Sequence, residues 1–189
     1  MTALIVYFFT ALVVSFICSL LESVLLSVSH AHIAVLIKEG QNRGRIMASL
    51  KENINRPLSA ILTINTIANT VGAAGVGAQT YSVFGSGWVA MSSFILTISI
   101  LFFSEIIPKT LGANYTKSLV GFTAYMTRGL IFVVFPMVIV GEKISKSFKK
   151  DDSDKSKASR EELIAMAELS EDEGAIDSQE GDIIENLMK

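Results

Sequence analysis

Leu101-Phe102-Phe103-Ser104-Glu105-Ile106-Ile107-Pro108-Lys109 is the stretch that decides how this chain reads. Glu105 closes a segment that carries no charge from Pro57 to Ser104, enough chain for two membrane spans at ~20 residues each. A carboxylate at membrane depth is costly, and it is expected to face a cavity, a partner or an ion rather than lipid. Pro108, three residues on, lacks the N–H that a continuing helix would donate, so a backbone carbonyl is set free nearby. A carboxylate beside freed carbonyl oxygens points to a cation site.

Working outward, half of the 189 residues are hydrophobic and they fall into long blocks, as in an integral membrane protein. The first expected span runs from Thr2 to Ser27. It has no basic n-region and no Ala-x-Ala cleavage site, so it reads as a span rather than a removable leader. His30 to Arg56 mixes apolar residues with Lys38, Arg43, Arg45, Lys51 and Arg56, and the positive-inside rule makes this loop cytoplasmic. The second span covers Pro57 to Ser82. Phe84-Gly85-Ser86-Gly87-Trp88 forms an uncharged turn with a tryptophan at the outer interface, and the third span covers Trp88 to about Ile107. The amino terminus is then outside and the carboxyl terminus cytoplasmic.

Leu119 to Gly141 is apolar but carries Arg128. A full crossing would put Lys143, Lys146, Lys149 and Lys150 outside, so the segment reads as juxtamembrane, in-plane or re-entrant. The expected fold is therefore all-α: three transmembrane helices plus this juxtamembrane segment, together residues 1–150. Asp151 to Ala158 is a polar linker. Ser159 to Lys189 reads as a short acidic cytoplasmic helical region, opened by the capping box Ser159-Arg160-Glu161-Glu162. Its apolar residues, among them Leu163, Ile164, Ile183 and Ile184, need a partner to cover them.

Polar residues recur inside the spans. Ser19, Ser23 and Ser27 lie four apart on one helical face with Glu22 beside it; Asn65 and Asn69 do the same in the second span. Hydroxyl, amide and carboxylate oxygens suit a hard divalent cation, and Mg2+ takes six of them at ~2.1 Å. Serine and threonine in membrane helices also bond their own i−4 carbonyl, and asparagines join helices. The run Gly72-Ala73-Ala74-Gly75-Val76-Gly77-Ala78 reads as close helix packing through Ala73 and Gly77, within or between protomers. His30 and His32 read as interfacial residues without metal, and Cys18 alone offers no disulfide. No Walker loop, nucleophile elbow, His-Glu-x-x-His or nucleic-acid-binding pattern is present, so neither an enzyme nor a nucleic-acid binder is expected.

Ser19-x-x-Glu22-Ser23-x-x-x-Ser27, Leu62-Thr63-Ile64-Asn65-Thr66-Ile67-Ala68-Asn69 and Ser104-Glu105-Ile106-Ile107-Pro108-Lys109-Thr110-Leu111-Gly112 together resemble the DUF21 transmembrane domain of the CorB/CorC and cyclin M (CNNM) magnesium transporters. The resemblance covers essentially the whole chain. It implies a plasma-membrane homodimer in which each protomer has three spans and a belt-like juxtamembrane helix. It also implies a largely dehydrated Mg2+ held by Ser19 or Ser23, Asn65 or Asn69, and Glu105, with a backbone carbonyl near Gly112 as a further candidate. Many relatives have Gly where this chain has Ser104, and Glu22 is an acid only in bacterial-type relatives. Export and exchange for Na+ follow from the resemblance alone, as does ATP binding by CBS domains, which would lie beyond this chain. Two other readings fit the same residues: a membrane-anchored dimeric regulator, and a divalent-cation sensor that transports nothing.

Overall fold

In a computed structural model that describes residues 1–135, the chain is helical throughout those residues, with no strand among them. The helices are α1 (Thr2–Ser27), α2 (His30–Lys38), α3 (Asn42–Glu52), α4 (Asn55–Phe84), α5 (Val89–Ser99), α6 (Ile107–Asn114) and α7 (Thr116–Val133). The linker expected at 151–158, the acidic helices at 159–189 and the end of the juxtamembrane segment lie outside the described residues.

Three helical stretches are long and apolar enough to cross a membrane: Thr2–Ser27, Asn55–Phe84 and Ser86–Asn114. This is an all-α, multi-pass membrane domain. α7 is not among the three, consistent with a segment interrupted by Lys117 and Arg128. Between α4 and the third span the chain turns at Gly85, whose φ of 87° lies in the left-handed region that glycine enters without a Cβ penalty. A single 3₁₀ turn, Ser86–Trp88, then leads into α5.

The third span is composite. α5 gives way to a π-helical segment, Ile100–Ile106, and α6 resumes with Pro108 in its first turn. Pro108 therefore does not end the helix. A widened π turn beside it absorbs the mismatch in hydrogen bonding, and the span runs on past Ile107 to Asn114.

α1 is the hub. It packs along α4 and along the third span, and at its far end against α7. The apolar core gathers at that end, where Cys18, Leu21, Leu25 and Val28 of α1 meet Ile33, Leu36, Met47, Leu50, Ile61, Val120 and Ala124. Toward the other end, apolar residues such as Phe9, Val13, Val71, Phe94 and Ile95 are exposed, as lipid-facing side chains would be. Small residues set the close approaches. A Cβ at Gly72 would stand 2.4 Å from the Ala11 Cβ, and one at Gly75 would meet the Tyr7 ring. The packing expected at Ala73 and Gly77 is not where α1 and α4 meet. Ala73 is exposed and nothing lies within 4 Å of a Cβ at Gly77. The face of α4 turned to α1 is the Gly72–Gly75 face.

Candidate functional site

The levels of the three spans follow from their contacts. Gly72 lies on Ala11 and Gly75 on Tyr7, so α4 runs antiparallel to α1. The third span runs parallel to it. The Ser104 hydroxyl donates to the Leu12 carbonyl at 2.9 Å, and farther along the Ser23 hydroxyl donates to the Lys109 carbonyl at 2.6 Å. At 1.5 Å of rise per residue, Asn69 then lies about 4 Å beyond the Ala11 level, near Val14, and Glu105 lies within a residue or two of it. Glu105 and Asn69 therefore share a level. Asn65 sits about one helical turn deeper, beside Ser19, and Ser23 deeper again, beside Lys109 and Gly112.

Helical periodicity also aims the α1 side chains. Tyr7 and Ala11 face α4, whereas Ser23 faces the third span and Leu12 lines a pocket with Phe103 and Ser104 of that span. By helical period Ser15 and Ser19 fall on the face of α1 between these two. Both are buried, at 0% and 1% exposure, and neither hydroxyl has a hydrogen-bond partner among the described residues. The Asn69 Oδ1 is likewise buried and unpartnered, although its Nδ2 donates to the Asn65 Oδ1 at 3.4 Å. A serine in a membrane helix ordinarily returns its proton to the i−4 carbonyl, as Thr63 does to Ser59 at 2.7 Å. Buried oxygens left without a partner are available to a ligand, and Thr80, Thr123 and Thr127 share this state elsewhere in the fold.

The expected site residues therefore divide. By level, Glu105 and Asn69 lie near Val14, whereas Ser19 lies about a turn deeper beside Asn65, which accepts from Asn69. Ser23 stands apart, its hydroxyl committed to the Lys109 carbonyl. Gly112 holds that crossing: a Cβ there would come within 2.7 Å of the Ser23 Cβ and 3.0 Å of the Leu20 carbonyl oxygen. The Gly112 carbonyl accepts from the Thr116 hydroxyl at 2.7 Å. Glu22 pairs loosely with Lys109, at 3.9 Å. Ser15 is the residue that the sequence reading passed over. Its spacing, four before Ser19, extends the same serine line by one turn, but only the register with Asn69 and Glu105 gives it weight. Among the described residues no three His, Cys, Asp or Glu side chains cluster as a metal centre would, so any cation here would rely on neutral oxygens around one carboxylate.

Taken together, these observations define a polytopic membrane domain with buried, unpartnered hydroxyl and amide oxygens on α1 and α4. Residues 5–180 match the cyclin M transmembrane N-terminal domain, and the chain belongs to that family. It is 30% identical over 181 residues to a UPF0053 protein of Synechocystis, a match that covers 96% of this chain and 52% of that protein. A UPF0053 protein of Haemophilus influenzae is 28% identical, over 77% of this chain and 36% of its own length. The metal transporter cnnm-2 of Caenorhabditis elegans is 24% identical, over 87% of this chain and 21% of its own length. The chain thus spans about half, or less, of the curated relatives it matches.

Proposed function

We propose that this domain binds Mg2+ in the crevice between its three spans and transports it across the plasma membrane, as a homodimer with the amino terminus outside. The observation that carries this reading is the set of buried oxygens without partners, Ser15, Ser19 and Asn69, at the levels flanking the Glu105 carboxylate. The Glu105 carboxylate neutralises part of the ion's charge. Hydroxyl and amide oxygens replace hydration waters, which Mg2+ gives up reluctantly and only to well-placed donors. Asn65 fixes the Asn69 amide by accepting from its Nδ2, leaving Oδ1 turned to the ion. Release follows when the spans move apart on the other side. Export and exchange with Na+ are the direction and coupling that the family resemblance supports. Nucleotide control, with ATP bound by CBS domains outside this chain, belongs to the same reading, as does the absence of enzyme chemistry.

The test is calorimetric titration of Mg2+ into the purified, detergent-solubilised chain and into its Glu105→Ala variant. Saturable binding to the wild-type chain that falls by about a hundredfold or more in the variant is expected, since a carboxylate bound to a desolvated cation is worth several kcal/mol. Undiminished affinity in Glu105→Ala would remove the site. No binding by either protein would favour the anchored-regulator reading.

A further inference from the structure

At the end of the spans that carries α2 and α3, a cavity of 760 Å3 opens between α3, the first turn of α4 and α7. Three arginines from three elements line it: Arg45 of α3, Arg56 at the start of α4 and Arg128 of α7. Among the described residues Glu52 is the one carboxylate in its lining, beside the guanidinium groups of Arg45 and Arg128. We propose that this cavity binds the phosphate of an anionic membrane phospholipid.

Depth argues for a lipid. Pro57, also in the lining, is where the long uncharged stretch of the second span begins, so the arginines lie at the boundary between headgroups and hydrocarbon. Arg128 stands within an otherwise apolar segment, where a guanidinium is stabilised by an anion at the interface. The lining is also two-sided. Ser49 and Asn53 add polar groups beside the guanidinium groups, whereas Ile46, Leu50 and Ile131 form an apolar wall for glycerol and the first acyl carbons. Guanidinium groups bind phosphate through paired N–H donors, which a lysine cannot match in geometry. Arg56 already lies over the Phe135 ring, 5.8 Å from its centre, so the discriminating charges are Arg45 and Arg128, both exposed. The inference is independent of the cation site.

The test uses the full chain in nanodiscs of phosphatidylcholine with and without phosphatidylglycerol. Lipid retained through detergent extraction is counted by mass spectrometry, and thermal midpoints are read alongside. Wild-type protein should retain phosphatidylglycerol over phosphatidylcholine and melt higher in its presence. Arg45→Gln/Arg128→Gln should lower that preference by about tenfold or more. Lys117→Gln removes the same kind of charge from an exposed position elsewhere and should leave the preference intact. Equal retention of both lipids by the wild type would overturn the proposal. So would an equal loss in Lys117→Gln, which would mean diffuse attraction rather than a site. If millimolar inorganic phosphate in lipid-free detergent reproduced the wild-type shift and the double variant abolished it, the ligand would be a soluble anion and the lipid assignment would fall.

Discussion

At Gly112 there is no room for a methyl group, because Ser23 and the Leu20 carbonyl already occupy the space a Cβ would take. Gly112→Ala must push α6 off α1, and the Ser23–Lys109 hydrogen bond stretches with it. Overpacking of this kind costs about 1–3 kcal/mol, so the thermal midpoint in detergent should fall. Gly77→Ala, with nothing within 4 Å, is the matched control and should leave the protomer's stability within about 0.5 kcal/mol. Equal melting of the two variants would mean that the α1–α6 crossing is looser than its geometry. At this scale the sequence supplied most of the candidate residues. Glu105 declared itself as a carboxylate in an apolar block, and the asparagine pair by its spacing. Ser15 was not legible, because a serine beside phenylalanine and valine in a span reads as a helix bonding to itself. Its burial without a partner depends on how the helices pack, which no single segment encodes. The same holds for Ala73 and Gly77: small residues cover several faces of α4, and spacing alone does not say which face meets α1.

α1 ends at Val28, where the backbone becomes extended and the last carbonyls of the helix need donors. Lys51 of α3 supplies them, its Nζ donating to the Val28 carbonyl at 2.7 Å and to that of Leu26 at 3.4 Å. A cation at a helix C-terminus is also favoured by the helix dipole. Burial pulls the Lys51 ammonium below its usual range, which marks a lysine drawn in toward those carbonyls. Lys51→Met keeps the aliphatic stem and removes the donor. It should lower stability by about 1–2 kcal/mol, as loss of charge-assisted hydrogen bonds does. Hydrogen exchange should quicken at the α1–α2 junction, whereas exchange in α5 stays as it was; uniform protection would show that the cap is idle. The elements themselves were readable from apolar length, and Pro108 signalled irregular backbone in the correct place. The form of the irregularity was not readable. A proline equally permits a break, a kink or a π segment, and the packing of Ser104 against Leu12 accompanies the last of these.

At the scale of the whole domain, the basic side chains of the described residues are sorted to one end of the spans. Lys38, Arg43, Arg45, Lys51 and Arg56 lie on α2, α3 and the start of α4, and Lys109, Lys117 and Arg128 return to the same end. The opposite end, Phe84 to Trp88, carries no charge, and the Phe84 and Trp88 rings lie 6.5 Å apart there. A bilayer reads this asymmetry through basic residues, because moving short arginine-rich loops across it is unfavourable. The basic end should therefore face the cytoplasm. Cys18 is buried and is the only native cysteine, so it leaves little background for thiol labelling. In intact cells, a membrane-impermeant maleimide should label a cysteine placed at Ser86 and spare one placed at Lys38; opening the cells should make Lys38→Cys reactive. The reverse pattern would invert the domain and put the arginine-lined cavity at the outer leaflet. It would also mean that an ion entering the crevice from the cytoplasm first meets the Asn69–Glu105 level instead of the Ser23–Lys109 crossing.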